Sequence, residues 1–223
     1  MNSDPITVLA VGGTAESYRG DDRRAVQGML AGVTDRLSDR FTARWVGYPA
    51  DYGPVTGFHH DAFALSVPEG SRNLAARIAC CEGPVALLGY SQGCCVIRSL
   101  LEDADTTLIS RIAGVGFVAD PLMPAGAAFG KPDLRGWGVA GAGRELAVPA
   151  WWVANDHDPI PLASPDSLLR DLADITEFMS FTDVVLWGRK LAQRISENTW
   201  QMPWTGELPG EPWDAGIARR RVD

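Results

Sequence analysis

The chain has 223 residues and a formal net charge of −8, and nearly half of its residues are apolar. That length allows one substantial core, and the apolar fraction excludes an intrinsically disordered chain. The acidic balance offers no electrostatic basis for binding nucleic acid or an anionic membrane surface.

Ile6–Val11 is a continuous apolar run closed by Gly12-Gly13, the pattern of a buried parallel strand. From Asp22 to Asp39, Val26, Leu30, Val33 and Leu37 recur at spacings of four, three and four, which predicts one helix face. Ala43–Gly47 reads as a second strand and ends at Tyr48-Pro49. A polar loop with Gly53-Pro54, Gly57 and His59-His60 follows, and Leu74, Ile78 and Cys81 mark a further helix. Pro84–Gly89 is a third strand, followed by Tyr90-Ser91-Gln92-Gly93 and a helix to Leu101. Ile112–Ala119 and Ala150–Ala154 are strands four and five, separated by a Gly- and Pro-rich excursion at Pro121–Gly143. Ser167–Met179 is a late helix whose Leu168, Leu172, Ile175 and Met179 share a face. Strand and helix alternate throughout, so the expected fold class is α/β, a mostly parallel five-stranded sheet flanked by helices. The chain reads as a single domain over 1–223, with its core at about 6–200 and an irregular Trp- and Pro-rich tail at 201–223.

The start, Met1-Asn2-Ser3-Asp4-Pro5, has no signal-peptide pattern, and no apolar run is long enough to span a bilayer, so a soluble protein is expected. Cys80-Cys81 and Cys94-Cys95 match no zinc or redox spacing and read as small apolar residues. The histidines and carboxylates lack ligand spacing, so neither metal nor cofactor is expected. Arg219–Arg221 reads as a solvated terminus. Trp137, Trp187, Trp200, Trp204 and Trp213 read first as core-packing residues and second as cover for a lipid site.

Gly89-Tyr90-Ser91-Gln92-Gly93 is a Gly-x-Ser-x-Gly pentapeptide between a predicted strand and a predicted helix. In that setting the serine stands on a tight turn, clear of the backbone, as a nucleophile elbow requires. The amide-rich start of the following helix faces the oxyanion that forms in acyl transfer. Gly12-Gly13-Thr14 closes strand one on the same sheet edge, where ligands of doubly wound sheets bind. The backbone amides near Thr14 and of Gln92 are therefore candidate oxyanion donors.

Gly12-Gly13-Thr14, Tyr48-Pro49-Ala50, Tyr52-Gly53-Pro54, Gly89–Gly93, Ala119-Asp120-Pro121 and Asp158-Pro159-Ile160 together resemble the cutinase-like serine esterases, in particular the lysin B proteins of mycobacteriophages. The resemblance covers roughly residues 6 to 200. It implies an α/β-hydrolase fold, cleavage of long-chain or mycolyl esters, and mycolyl-arabinogalactan as a substrate class. It also implies phage origin, with action at the virion or cell envelope. Ser91 would be the nucleophile, Thr14 and Gln92 the oxyanion hole, and Asp158 the triad acid, with Asp156 as an alternative acid.

One feature departs from the family. The family histidine follows the acid, whereas the histidines here are His59, His60 and His157. A serine hydroxyl is a poor nucleophile without a base, whose loss costs about 10⁶ in turnover in a serine protease. Three readings stay open: a catalytically impaired relative with a structural or envelope-binding role, a relocated base at His157 oriented by Asp120, or a histidine supplied by another chain or by a part of the natural product beyond this chain. His59 and His60 read as lid or surface residues.

Overall fold

The computed structural model describes residues 5–57, 59–177, 179, 189 and 193. Five parallel strands form one sheet in the order β2-β1-β3-β4-β5: β1 Ile6–Val11, β2 Phe41–Trp45, β3 Val85–Tyr90, β4 Ile112–Val118 and β5 Ala150–Val153. The helices are α1 Gly28–Thr34, α2 Phe63–Ala79, α3 Gln92–Asp103, α4 Thr106–Ser110 and α5 Leu169–Thr176. The expected α/β-hydrolase architecture is the observed one.

Alternation along the strands divides the core into two layers. Leu9, Val11, Val85, Leu87, Val115 and Phe117 pack against Val67, Leu74 and Ile78 of α2 and Val96, Ile97 and Leu100 of α3. On the other face, Ala10 and Trp45 pack with Leu30 of α1, and Val26, Leu88, Tyr90 and Val118 border them.

Two helices differ from the expected pattern. The run from Asp22 to Asp39 forms a helix only at Gly28–Thr34, where Leu30 is buried while Val33 and Leu37 stay exposed. Its first third is held otherwise: Asp21 accepts hydrogen bonds from Arg23, Trp45 Nε1 and Ser17, which fix the chain in an irregular path. Of the apolar face expected for α5, Leu168 and Leu172 are exposed while Arg170 and Asp174 are buried, and the side chain of Ile175 lies outside the described residues. Met179 lies beyond the helix. Arg170 donates to the carbonyls of Ser164, Gly138, Trp137 and Ala163 and stacks 4.3 Å from the Trp137 ring centroid. Those bonds offset its burial, which lowers its pKa to about 10.

The Pro121–Gly143 excursion is tied back to the fold. Gly138 N–H donates to Met123 O, Ala140 N–H to Pro121 O and Val139 N–H to Ile160 O. Cys94 and Cys95 are buried in α3 and, with Cys80 and Cys81, are free thiols. Trp187, Trp200, Trp204, Trp213, Arg219–Arg221 and the 201–223 tail lie outside the described residues. Among the described residues, no helix is long and apolar enough to cross a membrane.

Candidate active site

The site lies at the carboxyl ends of the strands, where doubly wound sheets bind ligands. Among the described residues, non-glycine positive φ occurs at Ala15, Ala50, Ser91 and Ala119, which follow β1, β2, β3 and β4 respectively. Backbone strain is thus concentrated along the edge that carries the candidate chemistry.

Ser91 has φ 50° and ψ −117° and is the N-cap of α3, yet its side chain does not cap the helix. Its hydroxyl therefore stays clear of the first-turn amides. The flanking glycines are required by close approach. A Cβ on Gly93 would meet Val11 O at 2.1 Å and Gly12 O at 2.6 Å, because α3 starts directly against the end of β1. A Cβ on Gly89 would meet Ile97 Cδ1 at 2.9 Å and the Cys94 backbone at 3.0 Å. Ser91 N–H donates to Val118 O, which pins the elbow to the end of β4.

The wall opposite the elbow is assembled from two loops. Tyr48 Oη donates to Gly12 O at 2.7 Å, and burial pushes this phenol's pKa well up. Ala15 N–H donates to Ala50 O, so the loops after β1 and β2 are joined main chain to main chain. Thr14 Oγ1 donates to Gln92 Oε1 at 3.0 Å, and Gln92 Nε2 donates to Asp51 O at 2.9 Å. Gln92 is buried, and this chain of bonds fixes it against Thr14. Glu16 supports the same loop by accepting from Gly13 N–H and Met29 N–H. Among the described residues, the amides of Thr14 and Gln92 donate to no other protein group.

A cavity of about 870 Å³ opens between these parts and α5. Ser91, Thr14 and Gln92 border it with the apolar side chains of Phe63, Val67 and Ile160, and α5 adds Asp174 and the following Glu177. Next to the elbow, Tyr90 borders a depression of about 540 Å³ together with His157 and Asp158. Burial raises the Tyr90 phenol pKa, and the charges of Glu16 and Asp158 push in the same direction.

The predicted site residues therefore divide into two groups. Ser91, Thr14 and Gln92 share one cavity, whereas His157 and Asp158 lie in the neighbouring depression. His157 is exposed, and its N–H donates to Asn155 Oδ1. Asp158 Oδ1 accepts from Ile160 N–H at 2.9 Å. Asp156 is paired with Lys131, which lowers its pKa.

The expected Asp120–His157 pair is not formed. Asp120 is fully buried and paired with Arg98, whose Nε and Nη2 donate to Oδ2 at 3.0 and 2.7 Å. Trp152 Nε1 also donates to Oδ2, and Leu122 N–H donates to Oδ1. The carboxylate is occupied by partners that hold α3 to β4 and β5. His60 Nδ1 lies 2.9 Å from Asp51 Oδ1 on the loop after β2 and does not border the cavity; His59 is exposed on the same loop.

Sequence reasoning missed Asp51, Arg98, Asp174 and Glu177. Arg98 alone left a signal, as a cation inside the otherwise apolar Cys94–Leu101 run. The others reach the site through loop paths and helix rotation that no local pattern encodes.

The fold is that of the cutinase-like α/β hydrolases, with a serine standing at the elbow. The structure is similar over 95% of this chain to lysin B from mycobacteriophage D29, at 19% identity and a TM-score of 0.60, covering 94% of that chain. It is also similar to the catalytic core domain of acetyl xylan esterase from Trichoderma reesei, at 17% identity and a TM-score of 0.52, over 87% of this chain and 98% of that one. In sequence, 97 residues are 34% identical to the SL1278 acyltransferase Chp1 of Mycobacterium tuberculosis. The match covers 41% of this chain and 24% of that protein, so the likeness concerns about a quarter of the relative's length. No family model matches the chain.

Proposed function

We propose that this chain is a serine ester hydrolase acting on long-chain or mycolyl esters through an acyl-enzyme at Ser91. The observation that carries this reading is the strained Ser91 lining a cavity it shares with Thr14 and Gln92. Ser91 Oγ attacks the ester carbonyl, and the alcohol leaves. Water then releases the acid. The amides of Thr14 and Gln92 receive the oxyanion in both steps, a contribution of about 10²–10³ per donor in turnover.

The substrate class draws on the apolar side chains within the cavity lining, such as Phe63, Val67 and Ile160, and on the likeness to lysin B, with mycolyl-arabinogalactan as the natural ester and a phage-encoded role at the envelope. The mycobacterial acyltransferase relative fits the same intermediate, since an alcohol in place of water turns hydrolysis into acyl transfer. A second reading is a catalytically impaired protein of this fold with a structural or envelope-binding role in a phage particle. It is favoured by one observation: no histidine of this chain borders the Ser91 cavity among the described residues.

Hydrolysis of para-nitrophenyl esters of increasing chain length separates the two readings. Turnover that rises with chain length and is lost in Ser91→Ala supports the esterase. Turnover no higher than that of Ser91→Ala refutes it and leaves the binding role.

A further inference from the structure

We infer that the depression beside the elbow receives the alcohol half of the ester, and that this half is a polyhydroxylated alcohol such as a sugar; the inference rests on the serine hydrolase reading above. An ester attacked at Ser91 has two halves to place, and two recesses meet the elbow. The larger one takes the apolar side chains of Phe63 and Val67 from α2. The depression takes Met29 from α1, which packs on the opposite sheet face, and lies over the ends of β4 and β5.

Three contacts tie the depression to the nucleophile. Tyr90, which borders it, directly precedes Ser91 in the chain. Ser91 N–H donates to Val118 O at 3.0 Å, and Val118 lines the depression. A Cβ on Gly13 would meet Tyr90 Cδ1 at 2.9 Å and Ser91 Cβ at 3.2 Å, so the loop after β1 packs against both side chains at one point. The depression thus begins within one residue of the nucleophile. Its volume of about 540 Å³ falls in the range of roughly 300–1,000 Å³ usual for small-molecule sites.

The lining sets the class of alcohol. Its charged groups are engaged within the protein: Lys131 pairs with Asp156, and Asp158 Oδ1 accepts from Ile160 N–H. Among the described residues, the Tyr90 hydroxyl, Asn155 Nδ2 and the His157 ring make no hydrogen bond to another protein group. Met29 and Val153, which line the same depression, stay largely exposed. Hydroxyl, amide and imidazole groups beside exposed carbon match a sugar, whose hydroxyls need partners once they leave water and whose C–H faces need an apolar surface. An alkyl alcohol would displace water from those polar groups without replacing its hydrogen bonds. An anionic headgroup would meet the carboxylates of Asp156 and Asp158 against the single ammonium of Lys131.

The test compares the 5-O-butyryl ester of methyl arabinofuranoside with para-nitrophenyl butyrate, on the full chain, Tyr90→Phe, Asn155→Leu and the double variant, with thermal unfolding of each. The double variant is expected to lower the ratio of kcat/KM on the sugar ester to that on the para-nitrophenyl ester by at least about 5-fold, and each single variant by at least about 2-fold, from the hydrogen bonds lost. A ratio that stays constant in all three overturns the alcohol subsite and leaves the esterase standing. Binding of free methyl arabinofuranoside is read separately, by saturation-transfer NMR on Ser91→Ala with and without the two substitutions. Saturation transfer that is present in Ser91→Ala and lost with the substitutions supports the site; equal signals in both, or none in either, overturn it. Absence of serine-dependent turnover on both esters overturns the esterase reading, and the NMR result alone then decides whether the depression binds a sugar.

Discussion

Arg98 is the charged residue among those α3 buries, and its ion pair with Asp120 is the clearest place to test how this fold is held. The two side chains are 4% and 0% exposed, and Arg98 also donates to Leu122 O at 3.0 Å. Its guanidinium lies 5.0 Å from the Phe117 ring centroid, with Trp152 stacked on Phe117. In Arg98→Met the stem volume is retained, but the Asp120 carboxylate is left buried with only the Trp152 and Leu122 donors. Removing one partner of a buried pair costs about 3–5 kcal/mol. At about 2–4 °C per kcal/mol for a chain of this size, Tm falls by about 6–20 °C. Asp120→Leu should cost a similar amount, because it strands the guanidinium. The double variant avoids both uncompensated charges and leaves unsatisfied only neutral donors and acceptors, at about 1–3 kcal/mol each. Urea unfolding of the four proteins at pH 7 measures the cycle. The double variant is expected to be more stable than the sum of the singles predicts by at least about 2 kcal/mol. Additive losses would refute the claim that each charge is retained mainly to compensate the other.

Gly93→Ala places a Cβ 2.1 Å from Val11 O and is expected to cost at least about 1–3 kcal/mol by overpacking; an unchanged urea midpoint would contradict the close approach of α3 to β1. Thr14→Val removes the hydroxyl that donates to Gln92 Oε1 and so loosens the pair proposed to receive the oxyanion. Its kcat should fall about 10-fold or more with little change in KM, because hydrogen bonds aimed at developing charge act in the transition state; a change confined to KM would contradict this role. Asp21 is held well below the ordinary carboxylate range by Arg23, against the cost of burial and with help from Trp45 and Ser17. A depressed folded pKa gives stability that is present above the unfolded value of about 3.9 and lost as pH falls towards the folded value. The stability gap between Asp21→Asn and the unsubstituted chain should therefore shrink between pH 5 and pH 2 in urea titrations, and a gap independent of pH would refute it.

The sheet was legible because its signals are local. Continuous apolar runs such as Ile6–Val11 mark strands buried on both faces, and β1 occupies those residues. The elbow was legible for the same reason, since strand, glycine, serine and glycine are consecutive. Helix extent was less so. The apolar period from Val26 to Leu37 was present, but the Asp21–Arg23–Trp45 contacts hold the preceding chain out of the helix. Asp158 and His157 were placed at the end of strand five, where they are found, yet the sequence could not show that their depression is distinct from the Ser91 cavity.

The rotation of α5 brings polar side chains to the border of the Ser91 cavity. A helix with apolar residues at Leu168 and Leu172 is expected to turn them inward, because burying each is worth about 1.5–3 kcal/mol. Here the inward positions belong to Arg170 and Asp174, and the competing gain is visible in the bonds of Arg170. Its guanidinium serves four main-chain carbonyls of the 137–164 segment, groups that would otherwise lose water without replacement. Once Arg170 fixes the rotation, the residues four and seven positions later fall on the same side, and these are Asp174 and Glu177. The polar demand of one loop thus bears on which α5 side chains border the cavity that Ser91 also borders. The carboxylates reach the cavity as a consequence of helix geometry, at a distance in sequence no motif could bridge.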